Sequence, residues 1–193
     1  MPVKIVGRYI EDAVRNDLSD RMVFIGGPRQ VGKTTFALSF LKDGNPSHRG
    51  YRNWDDLKTR TALMKGELPP EEPVVILDEI HKFARWRNLV KGFFDTMKGH
   101  TSFIITGSAR LDYYRKGGDS LHGRYQYYRL HPFSLSELDP DCRPEALLQL
   151  LTFGGFPEPL FKADATFARR WRRQRNEKII HNDIRDLEAV REI

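Results

Sequence analysis

Short apolar runs alternate with amphipathic segments through the first two thirds of the chain. Continuous apolar runs occupy residues 22–25, 74–77 and 103–105, and residues 125–130 form a further strand candidate. Such runs are typical of strands that are buried on both faces of a parallel sheet. The segments between them show helical spacing, most clearly the broad apolar face of residues 86–97. The alternation predicts an α/β fold, with a parallel sheet and helices on both of its faces.

Weaker patterns complete the predicted elements. A weak strand around residues 51–54 precedes a predicted helix over residues 55–65. From about residue 132 the pattern is helical only, which predicts a core over residues 1–131 and a helical subdomain over residues 132–193. An amphipathic helix before the first strand is predicted from four apolar residues: Ile10, Ala13, Val14 and Leu18.

Composition agrees with a globular domain inside the cell. Hydrophobic residues make up 39% and charged residues 30% of the 193 positions, which is ordinary for a globular protein. The single cysteine, Cys142, excludes an intramolecular disulfide and favours a reducing compartment. No apolar stretch approaches ~20 residues and no signal-peptide pattern begins the sequence, so we expect a cytoplasmic protein without membrane contact.

A glycine-rich phosphate-binding pattern follows the first predicted strand. Residues 27–34 match G-x-x-x-x-G-K-[ST] at every fixed position, and a helix-compatible segment follows them. Glycine permits the backbone angles that turn N–H groups toward a phosphate. The pattern therefore predicts a binding site for a nucleoside triphosphate. The predicted nucleotide-binding residues of this loop are Gly27, Pro28, Arg29, Gln30, Val31, Gly32, Lys33, Thr34 and Thr35.

Two pairs of neighbouring residues suggest how the triphosphate is bound. Lys33 would place its ammonium group by the β- and γ-phosphates, and Thr34 would offer a hydroxyl group to Mg²⁺. Asp78 and Glu79 follow the apolar run of residues 74–77, at the sheet edge where the phosphate loop lies. We expect Asp78 to hold Mg²⁺, directly or through water, and Glu79 to polarise the attacking water. The alternative is an acidic pair that caps the next helix.

A small polar side chain after the run of residues 103–105 is a further candidate. Thr106 would bond the γ-phosphate or the attacking water, with Ser108 as the second choice. The alternative for Ser108 is that it caps a helix that begins at Ala109.

Five motifs in a fixed order resemble a known group of proteins. They are GPRQVGKTT at residues 27–35, ILDEIHK at 76–82, ITGSAR at 105–110, LHGRY at 121–125 and GGFPE at 154–158. The series is similar to that of prokaryotic AAA-type P-loop ATPases, which are related to the signal-transducing STAND ATPases. The resemblance implies the sheet order 5-1-4-3-2, ATP as the nucleotide, and the roles given above for Lys33, Thr34, Asp78 and Glu79.

Two further site residues come from this resemblance alone. Pro157 stands where STAND ATPases have a proline that packs on the adenine, although a simple helix-breaking turn is the alternative. Arg124 stands where the group has an arginine that would reach the γ-phosphate, from the same subunit or from a neighbour. Arg110 competes for that role, and either arginine has a structural or solvent-exposed alternative.

The resemblance also implies a biological role. We expect an ATP-hydrolysing switch or motor that relays the change from ATP to ADP to the helical segment. The alternatives are a nucleotide-responsive binding module with negligible turnover, a DNA-associated ATPase and a P-loop kinase. Members of the group commonly carry a further, often nuclease-like, C-terminal domain, and the chain ends about where it would begin, so a short or truncated form is expected.

The positive charge of the chain is concentrated near its end. The net charge is +6, and residues 162–178 contain seven basic residues against Asp164 and Glu177. The basic residues are Lys162, Arg169, Arg170, Arg172, Arg173, Arg175 and Lys178. A solvent-exposed helix is the simplest interpretation, a nucleic-acid surface along Arg169–Lys178 is the alternative, and a subunit interface in a homo-oligomer is the third. No motif indicates a protein client.

Overall fold

The computed structural model describes residues 7–69, 71–107 and 121–179 of the chain. These residues form two compact units. The first lies within residues 10–130, and the second combines residues 7–9 with residues 131–179.

Among the described residues of the first unit, five parallel strands form one sheet. They are β1 (Met22–Gly26), β2 (Tyr51–Asn53), β3 (Val74–Asp78), β4 (Ser102–Thr106) and β5 (Tyr125–Arg129). Their order across the sheet is β2-β3-β4-β1-β5. This order confirms the predicted order 5-1-4-3-2 and the predicted α/β fold. Because every neighbouring pair is parallel, the carboxyl ends of all these strands lie at one edge.

Position in the sheet explains the composition of each strand. β1, β3 and β4 have strands on both sides and are almost fully buried, so they read as continuous apolar runs. β2 and β5 are the edge strands. β2 is only half-buried along its whole length, and β5 mixes half-buried with exposed positions. The weak apolar signal of residues 51–54 is therefore the signal of a short edge strand.

Helices cover both faces of the sheet. They are α1 (Glu11–Asp17), α2 (Lys33–Leu38), α3 (Leu57–Met64) and α4 (Trp86–Met97), with a 3₁₀ helix at Ile80–Lys82. The predicted amphipathic helix around α1 is present, with Ile10, Val14 and Leu18 buried, but Ala13 is exposed. Asp56 accepts a hydrogen bond of 2.7 Å from the backbone N–H of Thr59 and so caps α3.

The side chains along the strands alternate between a face that packs against α4 and a face that packs against α2. Val75 and Leu77 of β3 belong to an apolar cluster with the buried face of α4. Ile76 and Asp78 alternate with them and point to the opposite face, where α2 contacts β3 and β4. The other members of the cluster include Trp86, Val90, Phe93, Phe94, Phe103 and Ile105. One face thus packs against α4, and the other, which is also apolar, brings α2 to the end of β3.

The second unit is helical, as the pattern after residue 132 predicted. Its helices within the described residues are α5 (Leu135–Leu138), α6 (Pro144–Phe153), α7 (Pro157–Lys162) and α8 (Ala165–Lys178). Ser134 and Glu137 form a capping box at α5. Glu137 also accepts hydrogen bonds from the Arg8 side chain at 2.7 Å and from the Tyr9 backbone at 3.1 Å. Residues 7–9, which the sequence assigned to the core, therefore lie with the helical unit.

Candidate functional site

The loop between β1 and α2 has the backbone geometry that phosphate binding requires. Gly27, Gln30 and Gly32 have positive φ angles of 138°, 63° and 94°. A side chain at Gly27 would meet the carbonyl oxygen of Leu130, so this position tolerates only glycine. Successive turns of this kind direct backbone N–H groups into a common concavity, which suits an anion.

Lys33 folds back over this loop. Its Nζ donates hydrogen bonds to the carbonyl oxygens of Gly27 at 3.0 Å and Pro28 at 2.9 Å. Lys33 is buried although it is charged, because the loop surrounds its side chain. The ammonium group therefore already lies within the loop that would hold a phosphate.

Asp78 ends β3 directly beside the start of α2. Thr34 Oγ1 donates to Asp78 Oδ2 at 2.9 Å, which joins the phosphate loop to the acidic strand end. Tyr51 donates to the same oxygen at 2.7 Å, and Thr106 donates to Oδ1. Only 5% of Asp78 is exposed. Three hydroxyl groups thus compensate the charge of a buried carboxylate, and the oxygens of Thr34 and Asp78 are ligands of the kind that Mg²⁺ accepts.

Tyr51 is a site residue that the sequence patterns missed. It lies in the edge strand β2, where Tyr51 pairs with Ile76 and Asn53 pairs with Asp78. This register puts Tyr51 on the same face of the sheet as Asp78. Burial, and then the hydrogen bond to Asp78, raise the pKa of the Tyr51 hydroxyl well above its usual range, so it stays a donor. The strand order implied by the resemblance already placed β2 beside β3. It did not give the register of the two strands, on which the position of Tyr51 depends.

Glu79 adopts a left-handed conformation, with φ of 58°, immediately after β3. Its backbone N–H donates to the carbonyl oxygen of Thr106 at 3.1 Å. Its side chain makes no capping hydrogen bond to the 3₁₀ helix that follows, contrary to the capping alternative. The carboxylate instead lies 3.3 Å from Lys82 Nζ and is partly exposed. Glu79 therefore stands at the same edge as Asp78 with its carboxylate accessible to water.

Lys82 links Glu79 to a second carboxylate. Its Nζ lies 2.5 Å from Asp55 Oδ2, in the segment between β2 and α3. Burial alone would lower the pKa of Lys82, but the hydrogen bond to Asp55 and the charge of Glu79 raise it. His81 is buried, and its Nε2 lies 3.8 Å from Glu79 Oε2. Lys82 and His81 thus lie close to the carboxylate of Glu79, which is the water-directing candidate.

Thr106 ends β4 and is fully buried. In the structure its hydroxyl donates to Asp78 rather than facing solvent. A contact of Thr106 with a γ-phosphate, which the sequence predicted, would require that hydroxyl group to reorient and stays a prediction. The alternative residues Ser108 and Arg110 lie outside the described residues.

Arg124 lies where the parallel strands begin, at the end of the sheet opposite to the phosphate loop. It immediately precedes β5, and its backbone carbonyl accepts a hydrogen bond from Met22 N at the start of β1. Its Nε donates to Asp95 Oδ1 at 2.9 Å and lowers the pKa of that carboxyl group. The length of β5, roughly 16 Å at about 3.3 Å per residue, separates Arg124 from the phosphate-loop edge. Within one subunit it is too distant for a γ-phosphate, and action on a neighbouring subunit stays a prediction.

Pro157 and the basic stripe belong to the second unit. Pro157 is the first residue of α7, a position that suits its fixed φ, and its role at an adenine stays a prediction. Trp171 of α8 is buried and donates to Glu158 Oε2 at 2.8 Å, so its ring belongs to the core of this unit. Arg169, Arg170 and Arg173 are exposed on α8. The solvent-exposed interpretation fits this helix, and both the nucleic-acid surface and the subunit interface stay predictions.

The site residues fit a magnesium ion better than a soft metal. Within residues 7–69, 71–107 and 121–179, no group of three His, Cys, Asp or Glu side chains could hold a metal ion. Thr34 and Asp78 supply oxygen atoms only, and Mg²⁺ prefers a few such protein ligands together with phosphate oxygens and water.

None of the helices in the described part of the chain is long and apolar enough to cross a membrane.

Comparison with known proteins agrees with this geometry. A family model described as an AAA domain matches residues 19–139. The matched region contains the phosphate loop, Asp78 and Glu79, and all five strands. No curated protein matches the chain significantly. The closer relation to STAND ATPases and the nuclease-like C-terminal domain stay predictions. Because the match covers more than half of its length, the chain belongs to the AAA domain family.

Proposed function

We propose that this chain binds ATP together with Mg²⁺ and hydrolyses the ATP slowly, as a molecular switch or motor. The observation that carries the proposal is the hydrogen bond of 2.9 Å between Thr34 and Asp78. It brings together the two separate sequence signals, the phosphate loop and the acidic strand end. Membership of the AAA domain family supports a nucleotide-binding, ATPase-like domain.

The phosphate loop would hold the triphosphate through its backbone. The N–H groups of residues 27–34 surround the β-phosphate, and Lys33 exchanges its bonds to Gly27 and Pro28 for bonds to phosphate oxygens. Thr34 and Asp78 are the residues that would hold Mg²⁺. When bound, Mg²⁺ neutralises charge that develops on the phosphate oxygens.

Glu79 is the residue that we propose as the general base. Its carboxylate accepts a proton from water as the water oxygen attacks the γ-phosphorus and the bond from that phosphorus to the ADP oxygen breaks. Its partly exposed position just after β3 allows a water molecule to reach it. The proton ends on Glu79, and ADP and phosphate are the products.

The output of the cycle would pass to the helical unit. Loss of the γ-phosphate commonly releases or rearranges segments near the site. We propose Pro157 as the adenine contact and Arg124 as a contact to a neighbouring subunit, which would make a homo-oligomer the active form. The protein client is unassigned.

A second candidate function is a nucleotide-responsive binding module with negligible turnover. One observation favours it: the Glu79 carboxylate lies 3.3 Å from the Lys82 ammonium group, which competes with a water molecule for the carboxylate oxygens. ATP or ADP occupancy would then itself be the signal. ADP that copurifies with the chain, together with no measurable ATP consumption, would identify this function.

The decisive experiment separates binding from turnover. Glu79→Gln keeps the size of the side chain but removes the base. We expect ATP turnover to fall at least roughly 100-fold while nucleotide affinity stays within about threefold of the parent, because a general base contributes about 10²–10⁴-fold. Glu67→Gln, at an exposed carboxylate just after α3, is the matched control and should keep the parent's turnover. Turnover of Glu79→Gln at the parent's rate would exclude Glu79 as the base.

A further inference from the structure

We propose that Tyr51 is a positioning residue for the magnesium site, through the hydrogen bond that its hydroxyl group donates to Asp78. The inference rests on the proposed function, because it assigns the edge strand β2 to the same ATP and Mg²⁺ site. Tyr51 does not bind the phosphate itself in this scheme. It acts through the carboxylate that would hold the cation.

The Tyr51 hydroxyl group occupies one acceptor position of the Asp78 carboxylate. Tyr51 and Thr34 both donate to Oδ2 of Asp78, at 2.7 and 2.9 Å. Thr106 donates to Oδ1. An ionised carboxylate offers about four lone-pair sites, so these three hydroxyl groups leave about one, on Oδ1. Tyr51 and Thr34 together therefore occupy Oδ2 and leave Oδ1 of Asp78 open to a cation or to its bound water.

The position of Tyr51 explains why its hydrogen bond restricts Asp78 more than water would. The register of β2 against β3 fixes the Tyr51 backbone relative to Asp78. The ring is rigid and half-buried, so the hydroxyl group reaches Oδ2 with little freedom to move. Partners that orient a metal-binding carboxylate from behind typically change metal affinity about 10- to 100-fold when they are removed. Tyr51 occupies that kind of position.

The same unit contains a matched control. Tyr128 of β5 donates from its hydroxyl to Asp17 Oδ2, also at 2.7 Å. Asp17 ends α1 and belongs to neither the phosphate loop nor the acidic strand end. Tyr51→Phe and Tyr128→Phe therefore each remove one tyrosine–aspartate hydrogen bond of equal length, but only the first touches the magnesium site.

The test is a magnesium titration of nucleotide binding. A fluorescent ATP analogue is bound to the parent and to each variant, first with EDTA and then with increasing MgCl₂, after circular dichroism has checked the fold. For Tyr51→Phe we expect the half-maximal MgCl₂ concentration to rise about 10- to 100-fold. Its affinity for the nucleotide in EDTA should equal the parent's, and Tyr128→Phe should match the parent in both measurements.

Every other outcome would overturn the inference. An increase below about 10-fold, or a decrease, would show that Tyr51 does not orient the site for a metal. An equal loss of affinity in EDTA, an equal shift in Tyr128→Phe, or failure of Tyr51→Phe to fold would make the hydroxyl group merely structural. A parent chain whose nucleotide binding ignores MgCl₂ would instead contradict the proposed function, and this inference with it.

Discussion

Lys33 allows the phosphate loop to be tested quantitatively, because its ammonium group is already bonded within the loop. The Nζ atom donates to the carbonyl oxygens of Gly27 and Pro28 at 3.0 and 2.9 Å. Lys33→Ala removes this charge at the first residue of α2, where alanine is also a good helix former. The substitution therefore changes the electrostatics of the loop with little disturbance of the helix.

Two opposing contributions set the size of the effect. A unit charge about 4 Å from a phosphate oxygen contributes about 4 kcal/mol at an effective dielectric constant of about 20. Binding also removes the two carbonyl hydrogen bonds, each of which contributes about 1 kcal/mol. The difference leaves about 2 kcal/mol, so we expect the nucleotide affinity of Lys33→Ala to fall roughly 30-fold.

The assay is a titration of a fluorescent ATP analogue at fixed MgCl₂, followed by anisotropy. Lys42→Ala is the control, since Lys42 is exposed after α2 and its loss changes the net charge equally. An affinity of Lys33→Ala within about threefold of the parent would refute the assignment, because that difference is under 1 kcal/mol. A loss equal to that of Lys42→Ala would show an effect of net charge alone.

Other predictions concern stability, measured by urea unfolding. Gly27→Ala should lower the free energy of unfolding by about 1–3 kcal/mol, because its φ is 138° and its new side chain would meet Leu130. Gly92→Ala in α4 should raise the free energy of unfolding by about 0.4–1 kcal/mol, because the added methyl group would meet no neighbouring atom within 4 Å. A decrease would contradict this reasoning. Burial alone would raise the pKa of Glu137, but hydrogen bonds from Ser134, Tyr9 and Arg8 lower it. These hydrogen bonds therefore stabilise the folded state fully at pH values above the ordinary pKa of a carboxyl group, and the stabilisation is lost as the pH falls through the lowered pKa of Glu137. Glu137→Gln should make the free energy of unfolding less dependent on pH in the acid range. An unchanged pH dependence would contradict this prediction.

The central part of the fold could be predicted from local pattern, because burial on both faces leaves a continuous apolar signal. β1, β3 and β4 were visible for this reason, and Asp78 was placed at the correct edge once β3 was recognised. Tyr51 was not visible. Its role depends on the register of a short edge strand against β3, and a half-buried strand of three residues carries no clear periodicity.

Arg124 illustrates the opposite case. The strand predicted over residues 125–130 fixes the position of Arg124 in the sheet, whereas the resemblance implied a contact with the γ-phosphate. Residues 125–130 were predicted as a strand, so Arg124 precedes a parallel strand and must lie at the amino-terminal edge of the sheet. Arg8 and Glu137 were beyond any local pattern, since 129 positions separate the two residues of this buried pair. Long-range pairing of this kind explains why residues 7–9 lie with the helical unit.

The most direct measurement of the central claim is a crystal structure with a non-hydrolysable ATP analogue and MgCl₂. The claim is that the phosphate loop and the end of β3 form one site. We expect the β-phosphate among the backbone N–H groups of residues 27–34 and the metal about 2.0–2.1 Å from the Thr34 hydroxyl oxygen, beside Asp78. A nucleotide bound elsewhere, or a metal that neighbours neither Thr34 nor Asp78, would contradict the account.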